Sequence, residues 1–125
     1  VIARDENDVS AAVKCSHKHG IQICIRSGGH SYVGDSICDG TLIDIRGMKS
    51  IVRGSGSSTF WVESGNTIGD LAVTLHDHGH IAPTVNHNGV GSGWILGCGY
   101  GWLSRSFGLG CDRILSARLV TYNGT

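Results

Sequence analysis

Residues Ile25-Arg26-Ser27-Gly28-Gly29-His30-Ser31 place a histidine directly behind two glycines, at the end of a short apolar run. An imidazole is the side chain best suited to act as nucleophile or proton carrier near neutral pH. A Gly-Gly turn lets several backbone N–H groups converge, with no Cβ to keep a bulky anion away. Taken together, they describe a loop that holds an anionic ligand and keeps a histidine beside it. Taken alone, Gly-Gly-His is equally the sequence of an ordinary loop. A second glycine cluster tips that balance: residues 89–101 read Gly-Val-Gly-Ser-Gly-Trp-Ile-Leu-Gly-Cys-Gly-Tyr-Gly.

The other chemistry-bearing residues point less far. His76, Asp77, His78 and His80 have metal-ligand types, but Gly79 breaks the helical period between them. They read as a solvated helix end, and no metal is expected. Cys15, Cys24, Cys38, Cys98 and Cys111 form no C-x-x-C pair, so zinc spacing is missing and an odd thiol must be left over. Cys98 and Cys111 either pair or remain small buried thiols, and the buried thiols are the expectation. Neither a P-loop Gly-Lys-Ser/Thr nor a dinucleotide Gly-x-Gly-x-x-Gly follows a strand.

The elements that position these residues come next. Asp5 to His19 reads as an amphipathic helix with Val9, Ala12, Val13 and Ser16 on one face, capped by Asp5 or Asn7 and ended by Gly20. Ile21 to Ile25 suits a buried strand. Thr41 to Ile45 is a second strand, with Asp44 marking its exposed edge. Ser50 to Val52 and Thr59 to Glu63 are further short strands around a turn at Gly54 to Ser58. Thr67 to His78 is a helix with Ile68, Leu71, Ala72 and Leu75 inward. Residues 83–95 are a polar loop, and Gly97 to Leu109 contains a short helix with Trp102, Leu103 and Phe107 inward. Ile114 to Tyr122 alternates like a strand before an Asn123-Gly124 turn. Strands in succession mid-chain favour an α+β fold in one domain.

Composition narrows the class. The chain has 125 residues, enough for one core. Ten basic residues balance ten acidic ones, so no global field favours nucleic acid or an anionic membrane. No apolar run is long enough to insert in a membrane, and the first residues, which start at Val1, do not read as a signal peptide. Glycine is the outlier, with 20 residues against the single Pro83. Because those glycines cluster without a Gly-X-Y period, they serve close backbone approach and not collagen or a linker.

Four motifs in order now resemble a known family. They are Arg26-Ser27-Gly28-Gly29-His30-Ser31, then Leu96-Gly97-Cys98-Gly99-Tyr100-Gly101-Trp102-Leu103-Ser104-Arg105, then Gly108-Leu109-Gly110-Cys111-Asp112, then Leu119-Val120-Thr121-Tyr122-Asn123-Gly124. The chain resembles the FAD-binding (PCMH-type) domain of the vanillyl-alcohol-oxidase superfamily, most of all the berberine-bridge-enzyme-like oxidases. That resemblance implies two α/β lobes with FAD between them. It assigns Arg26, Ser27, Gly28, Gly29 and Ser31 to the pyrophosphate loop, and His30 to a covalent bond with the flavin 8α-methyl carbon. It makes Gly91, Gly93, Gly97 and Gly99 a second strip against the cofactor, with Tyr100 at its end and Val120 in a strand that meets the adenine. His87 either borders the flavin ring or is a plain loop histidine. Arg105 packs near the cofactor's lobe or lies at the surface, and Trp61, Trp94 and Trp102 are core or pocket walls.

The resemblance also implies an FAD-linked oxidoreductase. A small molecule such as a sugar or alcohol gives hydride from a C–H bond to the flavin, and dioxygen takes the electrons to give hydrogen peroxide. Residues 1–125 would then be the central part of the domain, with its start, its end and the substrate domain with the catalytic base lying elsewhere. A non-catalytic relative serving as a binding or assembly module is the alternative. A secreted or endomembrane setting follows from the resemblance alone, and only there does the Asn123-Gly124-Thr125 glycosylation triplet matter. Two departures stand out. Many members carry a cysteine for a second flavin bond where Val85 or Asn86 stands, so a single bond is expected. Trp94 replaces a frequent histidine and Cys98 a glycine, and the Cβ at position 98 would narrow the groove.

Overall fold

A computed structural model describes residues 1–125. Helix α1 spans Glu6–Lys18. Asp5 starts it: its Oδ1 accepts from the N–H groups of Asn7 and Asp8, both at 2.9 Å. Glu6 and Asp8 in the first turn and His17 and Lys18 in the last oppose the helix dipole. Ala12, Val13 and Ser16 are buried, so the inward face is the one the 3.6-residue period marks.

Strands β1 (Ile23–Arg26) and β2 (Thr41–Asp44) pair in parallel, from Ile23 opposite Thr41 to Arg26 opposite Asp44. Parallel neighbours cannot be joined by a tight turn, so residues 27–40 must cross over. The histidine motif is the start of that crossover. Ile2 bridges to Asp44 in parallel on the free side of β2. The core lies between α1 and this sheet: Ala3, Ala12, Val13, Ile43 and Ile45 are buried together, with Val9, Ile23, Met48 and Val120 packed against them. Asp44 does not mark an exposed edge. It is buried, because the chain start pairs along β2 through Ala3 N–H to Asp44 O (2.9 Å) and Asp44 N–H to Val1 O (2.8 Å), and its carboxylate is held by Arg46 through Nε (2.9 and 3.0 Å) and Nη2 (2.5 Å). Those hydrogen bonds, more than charge alone, lower its pKa to about 2.

Strands β3 (Ile51–Arg53) and β4 (Phe60–Val62) form an antiparallel hairpin across the Gly/Ser turn. Helix α2 (Ile68–Asp77) follows, opened by a capping box: Asp70 N–H donates to Thr67 Oγ1 at 3.2 Å, and Thr67 N–H donates to Asp70 Oδ2 at 2.9 Å. Ile68, Leu71 and Leu75 are buried, whereas Ala72 is exposed. Gly79 ends the turn after the helix at φ 73°, a left-handed conformation that favours glycine.

The remainder departs from the sequence reading in three places. A one-turn helix, α3 (Gly93–Leu96), occupies part of the expected loop, and α4 (Ser104–Phe107) is the short helix expected within 97–109. Trp102 (82% exposed) and Phe107 (42%) do not point into a core, although Leu103 is half-buried. Ile114 to Tyr122 forms no strand: alternation needs a neighbouring edge to pair with, and this segment lies along neither of the two two-stranded sheets. The Asn123-Gly124 turn is present, with Gly124 N–H donating to Thr121 O at 2.9 Å. No helix is long and apolar enough to cross a membrane.

Candidate functional site

At the C-terminal end of β1 the chain turns sharply against the second glycine segment. A Cβ on Gly28 would fall onto the backbone nitrogen of Gly91 and lie 2.6 Å from the carbonyl oxygen of Gly89. One on Gly91 would fall onto the Gly28 nitrogen and the Ser27 hydroxyl. The two glycine strips are therefore in direct backbone contact, and only glycine permits it. One carbonyl fastens both: Ser27 Oγ donates to Ser64 O at 2.8 Å, and Ser92 Oγ donates to the same oxygen at 2.6 Å. Ser64 acts through its backbone, so no side-chain pattern announces it. The second strip is tied in turn to the start of α2, where Ile68 N–H donates to Val90 O at 2.8 Å and Gly69 N–H to Asn88 O at 3.0 Å.

A cavity of about 850 Å³ opens over this contact. Residues 27–32 line it together with Val85, Asn86, Val90, Gly91 and Gly93 from the second strip and Trp94 with Tyr100 to Trp102 beyond it. The N–H groups of Gly28, Gly29, His30 and Ser31 donate to no group of the protein. Arg26 Nε is buried without a partner, and it sits 3.2 Å from where a Cβ on Gly29 would be. Four successive free donors, with a buried guanidinium nitrogen beside them, are available to an acceptor, which is what an anionic group provides.

His30 is exposed at this site. Its ring lies 5.0 Å from that of His87 with the planes tilted by 57°. Both rings crowd Gly89, whose absent Cβ would be 3.3 Å from His30 Nε2 and 3.2 Å from His87 Cε1. His87 Nδ1 accepts from Gly89 N–H at 3.1 Å, which puts the proton of the neutral ring on Nε2.

The structure thus brings together Arg26, Ser27, Gly28, Gly29, His30, Ser31, Gly91, Gly93 and Tyr100. It places three other candidates elsewhere. Gly97 follows α3, outside the cavity lining, and Gly99 lies buried under the Trp94 indole. Val120 packs against the α1–β2 core. The expectation of two buried thiols at Cys98 and Cys111 is corrected: they form a disulfide, and Cys98 is exposed. A separation of 13 residues carries no pairing signal; the backbone path supplies it. Cys15, Cys24 and Cys38 are free. His78 and His80 stand edge-on to Phe60 at 5.4 and 5.7 Å, and no three ligand-type side chains gather.

The model of one protein family, described as an FAD binding domain, matches residues 1–125 in full. The chain belongs to the FAD binding domain family. Among relatives of this FAD binding domain, berberine bridge enzyme-like 17 of Arabidopsis thaliana is 38% identical over 134 residues, covering 99% of this chain and 25% of its own length. Among solved structures, BBE-like 1 of Physcomitrella patens matches with a TM-score of 0.91 at 37% identity, covering all of this chain and 28% of that one. The 6-hydroxy-D-nicotine oxidase of Arthrobacter nicotinovorans matches with a TM-score of 0.88 at 35% identity, covering 99% and 28%. The chain therefore spans about a quarter of the length of the relatives it matches, and its α+β fold is that of their FAD-binding part. The cavity suits such a cofactor: free backbone donors for a diphosphate, open space beside Gly93, and aromatic side chains in its lining.

Proposed function

We propose that this chain is the cofactor-binding part of an FAD-linked oxidoreductase in which His30 holds the flavin covalently through its 8α-methyl carbon. The single observation that carries this reading is the run of unpaired N–H groups at Gly28 to Ser31, with an imidazole in the same run. In this reading the Gly28 to Ser31 donors hold the diphosphate and Arg26 Nε supplies a buried cationic donor. Gly91 lets its strip close against the Gly28 turn, Gly93 leaves the ligand room at the backbone, and Trp94 and Tyr100 exclude water from its flank. His30 contributes a ring-nitrogen lone pair to the bond. Neither Val85 nor Asn86 can form a thioether, so the attachment is single.

Bound FAD supplies a two-electron acceptor for hydride from a substrate C–H bond, as of a sugar or alcohol. The oxidase relative supports dioxygen as the terminal acceptor, with hydrogen peroxide as product. Partners are then a small-molecule substrate and dioxygen, with no role for nucleic acid. His30→Ala is the direct test. On an acid-treated denaturing gel, flavin fluorescence should move with the wild-type polypeptide and be absent from the variant, which still binds FAD reversibly. Flavin bonded to the variant would refute the assignment. No flavin with either protein would favour a non-catalytic binding module.

A further inference from the structure

Trp94 and Cys98, the two departures within the glycine-rich segment, belong to one structural unit. Residues 98–99 and 110–111 run side by side: Gly110 N–H donates to Gly99 O at 2.8 Å, and Cys111 N–H to Cys98 O at 3.3 Å. The Cys98–Cys111 disulfide joins the same two segments. Trp94 lies across them, because a Cβ on Gly99 would come within 2.6 Å of the indole and one on Gly110 within 2.9 Å. Its Nε1–H donates to Tyr100 O at 3.3 Å. Cys98 itself adopts φ 65°, a conformation costly for a residue with a side chain. The enclosed residues 99–110 carry Tyr100, Gly101 and Trp102, one wall of the cavity. Two other ties reach the chain before Cys98, the bond from Trp94 and the close packing of Gly101 against the Thr84 carbonyl, and neither is covalent.

We propose that the Cys98–Cys111 disulfide is a redox-responsive fastener that positions the Tyr100–Trp102 wall, so that opening it frees residues 99–110 and weakens the cavity's hold on its cofactor. The opening step balances with a dithiol: it gives two electrons and two protons to the S–S bond, leaves two thiols, and becomes a disulfide itself. Cys98 is exposed, so an attacking thiolate has access. The three other cysteines are free, so a reductant has one target. The effect on the cofactor rests on the FAD reading above, whereas the fastening of the loop does not.

The test uses the full-length polypeptide that carries this sequence, disulfide-bonded or dithiol-reduced, with the state read by thiol alkylation and mass. Arg105 is exposed within the fastened loop, so tryptic cleavage after it reports release. Reduction should speed that cleavage at least about tenfold, because local opening governs proteolysis. Cys98→Gly, which suits the backbone conformation, should cleave fast with or without reductant. In a His30→Ala background, where flavin is reversible, reduction should weaken FAD binding about tenfold as the wall side chains lose their order. Cleavage or FAD affinity indifferent to reduction would overturn the proposal, as would alkylation of both cysteines before reduction. FAD binding absent from the oxidised protein would instead overturn the reading of the site, and cleavage would still decide the fastener.

Discussion

Gly28 and Gly91 meet so closely that neither position admits a side chain. Gly28→Ala or Gly91→Ala would drive a Cβ onto backbone atoms that cannot rotate away. We expect a loss of about 3 kcal/mol, typical of forced overpacking, visible as a lower urea midpoint; an unchanged midpoint would show that the strips do not touch. Asp44 gives a pH-dependent counterpart. Its folded pKa of about 2 lies below the unfolded value, so the folded state binds fewer protons between those two values. Its contribution is full above about pH 4 and disappears as pH falls through about 2. Asp44→Asn should therefore cost about 1–2 kcal/mol at pH 7, after allowance for the exposed Arg46, and almost nothing at pH 2. Equal losses at both pH values would rule out the Arg46 pairing as the cause. At this scale the sequence showed the motif residues well, because glycine and histidine types carry their chemistry with them. It misjudged Asp44, which the pairing of Val1 to Ala3 along β2 takes off the sheet edge. Ser64 was invisible because it works through a carbonyl.

Elements were legible where local signals decide them. The Asp5 cap and apolar period define α1, and the spacing of Ile68, Leu71 and Leu75 defines α2, each to within a residue or two. Thr67→Ala should cost about 1 kcal/mol, the usual value of an N-cap. Thr67→Ser, which keeps the hydroxyl, should cost much less, and equal losses would mean that the cap is not the reason. The segment 114–122 failed because a strand is a property of two segments, and alternation describes just one. The disulfide was misread for a related reason: the hydrogen bonds that bring residue 111 opposite residue 98 are set by α4 and the turns around it. Hydrophobicity alone puts Trp102 and Phe107 inward, yet Trp102 lines the cavity.

Across the whole molecule the core is small, with 18 of 125 residues buried, so a ligand seated in the cavity over the glycine strips would add substantially to the stabilising contacts. In the His30→Ala variant, FAD at a hundredfold its Kd should add about 2.7 kcal/mol to stability by linkage. A thermal midpoint indifferent to FAD would contradict a site in the native fold. Fold class and the cofactor's identity were readable at this scale, because four motifs in fixed order constrain the path of the chain. The placement of Gly97, Gly99 and Val120 was not, since motif membership does not say which atoms face the cavity. The central claim is that His30 carries the flavin. Trypsin releases Ser27 to Arg46 as one peptide, in which His30 is the sole histidine. The account predicts that this peptide from the native protein bears the mass of FAD, with fragmentation locating it on His30. An unmodified peptide from a protein that has retained its flavin would contradict it.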